Sequence, residues 1–169
     1  MIIAFFPCIR FEAKVPLLFR GESYGQKNWS NLKKLEYAMK LNQEQSELFC
    51  LICKLFYIAI SRGLRMIVEN PSTQPHYLTM YFPVRPNIID NDRTDRGDYY
   101  KKPTQYWFVN IEPKNNLVFE SLEYVEKQRI EYAHKFKNGT NRTVARSLIH
   151  PQYANRFIRE FILNADGTL

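Results

Sequence analysis

The sequence predicts an α/β protein: an open parallel or mixed sheet flanked by helices. Three observations predict it. Residues 2–6 (IIAFF) are apolar at every position without alternation, the pattern of a parallel strand covered on both faces, and residues 64–68 (LRMIV) read as a second buried strand. A long helical pattern lies between them, so strand, helix and strand form a βαβ unit with parallel pairing and a right-handed crossover. No internal repeat or low-complexity linker interrupts the 169 residues, so one domain over 1–169 is expected.

The elements follow in order. After the first strand, residues 9–29 carry Gly21, Gly25 and many polar groups, and read as a long loop. Ser30 has the chemistry of a helix N-cap and Gly63 that of a C-terminal stop. Between them Leu32, Leu35, Met39, Leu48, Leu51, Ile52, Leu55, Phe56 and Ala59 form an apolar stripe, and the polar stretch Asn42 to Gln45 is a point where the helix divides in two. The second strand, Leu64 to Val68, ends at Glu69-Asn70-Pro71. QPHYLTMYF reads as a short helix with Pro75 in its first turn. PNIID and TQYWFVNI are two further strands joined by a charged loop. A last helix starts near Pro151, where Tyr153, Phe157 and Phe161 share one apolar face.

Composition narrows the class. Apolar residues make up 45% and aromatics 15%, which excludes a disordered chain. No apolar run approaches the roughly eighteen residues that span a bilayer. The first residues carry no basic leader of a secretory signal, so a cytoplasmic setting is expected. Twenty-four basic against 17 acidic residues leave a net charge of +7, which suits a polyanionic partner such as DNA. The three cysteines, Cys8, Cys50 and Cys53, are an odd count that fits free thiols. Cys50 and Cys53 lie in an apolar helix without a second ligand pair, so they read as core positions and no metal site is expected.

The strand ends carry the chemistry. Ligands of open parallel sheets bind beyond the carboxyl ends of the strands. Cys8 follows the first strand and Glu69 ends the second, so a thiol and a carboxyl group are expected to face one cleft, the alternative being a buried cysteine and a capping glutamate. Arg10 would favour the thiolate, and the carboxyl group would give or take a proton. Further along, Tyr99, Tyr100, Lys101 and Lys102 place cations beside stacking rings. With Arg10 they are the candidate nucleic-acid contacts.

These residues resemble a family. FPC at one strand end and VENP at the next look like the signatures around the cysteine and the glutamate of cytosine-5 DNA methyltransferases. KKPTQYWFVN resembles a strand motif of the phage-type DNA methylases in that group, and RSLIHPQYANRFIREFIL is similar to the family's last motif. The resemblance implies a reduced Rossmann-like fold, equivalent to the C-terminal half of a methyltransferase. It implies that the target cytosine is flipped out of the duplex, that Cys8 attacks carbon 6 of the ring, and that Glu69 protonates nitrogen 3. Pro7, Asn70 and Pro71 would shape the turns that hold them.

The departures from the pattern are specific. Phe6 stands where the family has a first proline. Arg93 and Arg96 do not match the family's glutamine-arginine-arginine motif, and no catalytic role is assigned to them. The family's glycine-containing cofactor loop precedes its cysteine motif, and no counterpart stands before Cys8. S-adenosylmethionine is therefore expected only if a missing half is supplied, and none is expected to bind the isolated chain. Residues 2–6 correspond to a central strand of the family, so a complementary chain or a second copy is expected to cover them. The sequence thus reads as a fragment or split half of a phage-type methyltransferase, inactive alone. The alternative is a degenerate methylase remnant that binds nucleic acid or protein as a phage counter-defence inhibitor.

Overall fold

A computed structural model describes residues 1–12, 15–73, 76–119, 121–122 and 148–168. The chain divides into two compact units. One comprises Met1–Ile89 with Gln105–Ile111, the other Asp90–Thr104 with Glu112–Leu169.

The architecture is α/β, built on an open four-stranded sheet. Strands β1 (Ile2–Phe5), β2 (Met66–Pro71), β3 (Ile88–Asp90) and β4 (Thr104–Val109) lie in the order β1-β2-β4-β3. β1 and β2 pair in parallel, with Ile2 opposite Met66, Ile3 opposite Ile67 and Phe5 opposite Glu69. The expected strand-helix-strand unit with parallel pairing is present. β2 and β4 are central, and both are buried along almost their whole length.

Within the described residues of this chain, β1 is covered on one face and not on both. β1 is the edge strand, and Ile2, Ile3 and Phe5 are 46%, 48% and 62% exposed. Ala4 and Phe6 pack against the core, but the opposite face of the strand, with Ile3 and Phe5, is open. An apolar run without alternation reports what a strand is suited to, and the sheet simply stops here before that suitability is used.

The helix between β1 and β2 is continuous: α2 spans Asn31–Ser61. Ser30 caps it by accepting from the Lys33 N–H at 3.3 Å, and the left-handed Gly63 (φ 62°) lies just past its end. The expected break at Asn42 to Gln45 does not occur. Gln45 is buried and its side-chain amide donates to the Arg10 carbonyl at 2.9 Å, so its polarity is used in a tertiary contact. Leu41, Ile52, Phe56 and Ala59 face the core. Leu32, Leu35, Met39 and Leu51, expected on the buried stripe, are exposed. Cys50 is exposed too, contrary to its reading as a core position, while Cys53 is half-buried against the core.

The long loop expected over 9–29 contains a short helix, α1 (Val15–Phe19), and a single 3-10 turn at Tyr24–Gln26. β2 starts at Met66, and Leu64 lies outside it, exposed. The short helix after β2 is α3 (Tyr77–Tyr81); Pro75 lies outside the described residues. The core of this unit joins α2, α3 and the sheet through rings: Phe56 and Phe82 at 4.8 Å, Phe82 and Trp107 at 5.8 Å, both edge-on.

In the second unit the expected last helix, α4 (Pro151–Phe157), starts at Pro151 and runs into a wider turn of π type at Ile158–Ile162. Tyr153, Phe157 and Phe161 are its buried face, as the spacing predicts. A charged network supports it. Arg93 is buried and paired with Asp98, and its guanidinium lies 4.4 Å from the Tyr153 ring. Arg96 bridges Asp90 and Glu160, each at 3.2 Å, and the Tyr153 hydroxyl donates to Asp90 at 3.1 Å. Ion pairing to these carboxylates raises the Arg96 pKa despite the opposing effect of burial. Both arginines therefore act structurally here. Among the described residues, no helix is long and apolar enough to cross a membrane.

Candidate functional site

The parallel pairing of β1 and β2 puts their carboxyl ends side by side. Phe5 lies opposite Glu69, and the chain beyond them carries Pro7 and Cys8 on one strand, Asn70 and Pro71 on the other. The fully buried Asn70 ties the two ends together: its side-chain amide donates to the Phe6 carbonyl at 2.9 Å. Gln105 on β4 donates to the Pro71 carbonyl at 2.8 Å and fixes the other side of the turn. Asn70 and Pro71 thus hold the ends of the two strands, while Pro7 is exposed between Phe6 and Cys8. Glu69 is buried.

Cys8 is half-buried, and a tight turn follows it, closed by the Phe11 N–H donating to the Cys8 carbonyl at 2.8 Å. The turn brings Glu12 back onto the thiol, which donates to its Oε1 at 3.6 Å. The charge expected beside the thiol is accordingly of the other sign. Arg10 is directed to Glu44 on α2 and forms an ion pair there. Lys40 adds a second cation to Glu44 at 3.8 Å.

Glu12 and His76 were not singled out by sequence reasoning, because neither sits at a strand end. His76 immediately precedes α3 and is fully buried. Among the described residues neither ring nitrogen has a hydrogen-bond partner, and the ring lies 6.3 Å from that of Phe11. Burial pushes its pKa down to about 4, and the nearby Glu12 carboxylate opposes that shift only in part. The ring is neutral at physiological pH. The only sequence hint was its place in HYLTMYF, directly before an apolar helix.

The loop with Tyr99, Tyr100, Lys101 and Lys102 belongs to the second unit. Tyr100 is buried, which removes its ring from any surface role. Tyr99 packs edge-on against His150 at 4.6 Å. Lys101 is exposed and lies 3.5 Å from Asp92, which the Thr94 contacts and Lys101 hold below the usual carboxylate range against the effect of burial. Lys102 is half-buried. The structure therefore leaves Lys101, not the whole tetrad, as the exposed group of this loop.

Neither end of the β1–β2 pair opens into a glycine loop. The first glycine after β1 is Gly21, which gives close passage to Lys34: a Cβ there would meet the lysine Cδ at 2.8 Å. Among the described residues, no group of three or more His, Cys, Asp or Glu side chains is placed to hold a metal ion.

These features define an α/β open-sheet protein with a thiol and a carboxyl group at the ends of two neighbouring parallel strands. Comparison of the chain with protein-family models, with curated proteins and with solved structures finds no match.

Proposed function

We propose that this chain supplies the cysteine and glutamate half of a cytosine-5 DNA methyltransferase of phage type, and that a complementary chain covers β1. One observation carries the reading. Ile3 and Phe5 are open to solvent, while Ile67, opposite Ile3 in register, is buried. An exposed apolar edge beside a reactive strand end is a surface suited to another strand or helix.

In this reading Cys8 adds through its sulfur to carbon 6 of a flipped cytosine, and Glu69 holds a proton at nitrogen 3 as charge develops there. Asn70 fixes the relative position of the two strand ends. The methyl donor binds the complementary half. Lys101 contributes a phosphate contact.

A second reading has support from the thiol's surroundings. A carboxylate at Cys8, with Arg10 engaged elsewhere, is a poor setting for a thiolate nucleophile. That favours a methylase remnant that binds nucleic acid or protein, as a phage counter-defence inhibitor does.

Two measurements decide. Addition at carbon 6 makes carbon 5 basic, so it exchanges its hydrogen with solvent without any methyl donor. Cytosine-containing DNA in deuterated water should exchange at carbon 5 with the parent chain and not with Cys8→Ser or Glu69→Gln. DNA binding without exchange would overturn catalysis and leave the binding reading. Light scattering should show a larger species for the parent than for Ile3→Lys; monomers in both would remove self-association through the uncovered edge.

A further inference from the structure

α2 carries a second row of side chains, on a side of the helix other than the one that meets the core. Its large members are Leu32, Leu35 and Met39 toward one end and Tyr57 and Ile60 toward the other, each more than half exposed. Between them the row runs through the small or polar residues Asn42, Ser46, Cys50 and Cys53, of which only Cys53 is half-buried. Each step along the row is three or four residues, and on a helix of 3.6 residues per turn all nine positions fall within an arc of about 80°. The core-facing Leu41, Ile52 and Phe56 lie outside that arc. The row is also symmetric about Ser46. Leu35 and Tyr57 each lie eleven residues from it, Met39 and Cys53 seven, and Asn42 and Cys50 four. Leu32 and Ile60 end the row, each fourteen residues away.

We propose that this row is the interface of a homodimer, in which α2 packs antiparallel against α2 of a second copy of this chain, with the twofold axis at Ser46. A twofold interface uses the same patch on both subunits, so the patch must complement itself. The symmetry about Ser46 meets that condition. It sets Leu35 of one copy against Tyr57 of the other and Met39 against Cys53, so the apolar side chains that are open in the single chain cover one another. Ser46 and Cys50, small and central, let the axes approach to the usual separation of about 8–10 Å. Charge selects the same arrangement. Glu36 and Lys54 are exposed on one flank of the row, ten and eight residues from Ser46 on opposite sides of it. In the antiparallel pair they come within roughly 3 Å of the same level along the axis, so Glu36 of each copy faces Lys54 of the other. Parallel pairing would set Glu36 against Glu36 and Lys54 against Lys54. The interface uses no residue of β1, Cys8 or Glu69, and stands independently of the methyltransferase reading.

The test is sedimentation equilibrium of the full chain carrying Ile3→Lys, which blocks association through β1 and leaves α2 unchanged. At micromolar concentrations the mass should be that of a dimer. Adding Leu35→Lys, at an exposed position that the fold tolerates, should give a monomer. Glu36→Lys alone and Lys54→Glu alone each turn two attractive pairs into repulsive ones, and each should weaken the dimer about tenfold. The double variant Glu36→Lys/Lys54→Glu restores opposite charges, and should return the dissociation constant to within about twofold of its starting value. A merely structural effect of either residue would not be rescued in this way. A monomer at all concentrations, a dimer that survives Leu35→Lys, or a double variant no tighter than the single ones would overturn the proposal.

Discussion

The side-chain amide of Asn70 donates to the carbonyl of Phe6, across 64 residues of sequence, and so joins the carboxyl end of β2 to that of β1. Asn70 is fully buried. A backbone carbonyl that ends a strand needs a donor, and here a side chain from the neighbouring strand supplies it.

Asn70→Ala removes that donor and leaves the Phe6 carbonyl without it. The expected loss is about 1–3 kcal/mol, measured by urea unfolding with an unchanged m-value. Because the bond lies two residues before Cys8, alkylation of Cys8 by iodoacetamide should also accelerate in the variant. Unaltered stability and unaltered alkylation together would show that the strand ends hold without Asn70.

His76 sets a pH dependence. Its folded pKa is about 4, below the unfolded value of 6.5. Between these values the unfolded chain binds the extra proton, so stability is full above pH 6.5 and falls as pH drops toward 4. The full effect is about 3 kcal/mol by linkage. His76→Leu should abolish this slope and be no less stable at pH 7, since it removes two buried ring nitrogens without partners among the described residues. Unfolding curves of both proteins at pH 7, 6, 5 and 4.5 check it; parallel pH profiles would show that His76 is not the titrating group.

In the second unit, Arg93 and Asp98 form a pair that is buried on both sides. Removing one partner strands the other charge. Arg93→Ala should cost about 3–5 kcal/mol, and the double variant Arg93→Ala/Asp98→Ala should cost less than the single one. Denaturant unfolding of all three proteins measures the coupling, and purely additive losses would contradict it.

Lys101 is exposed near Asp92, whereas Tyr100 is buried. If the loop meets DNA, the contact is to phosphate. Lys101→Ala should then weaken duplex binding at every sequence alike and lower the slope of log K against log salt by about 1. Tyr99→Ala should have a smaller effect than Lys101→Ala, because its ring is engaged with His150. An unchanged salt slope for Lys101→Ala would take the loop out of the interface.

Local chemistry decided what the sequence by itself determined. The runs at 2–6 and 64–68, the cap at Ser30, the stop at Gly63 and the helix start at Pro151 each rest on neighbouring residues, and each has its counterpart in the structure. The placement of Cys8 and Asn70 at adjacent strand ends followed from them, because a long helix between two short strands forces parallel pairing. Only tertiary structure decided the rest. Gln45 keeps α2 whole because a carbonyl from another segment accepts its amide. Leu32, Leu35 and Met39 match a buried stripe in spacing but are exposed among the described residues, since periodicity states which residues share a face and not what that face touches. The tight turn after Cys8 sets Glu12 against the thiol and takes Arg10 away to Glu44, 34 residues further on. The sign of the charge at a reactive group depends on such long-range pairing, and spacing along a chain does not contain it.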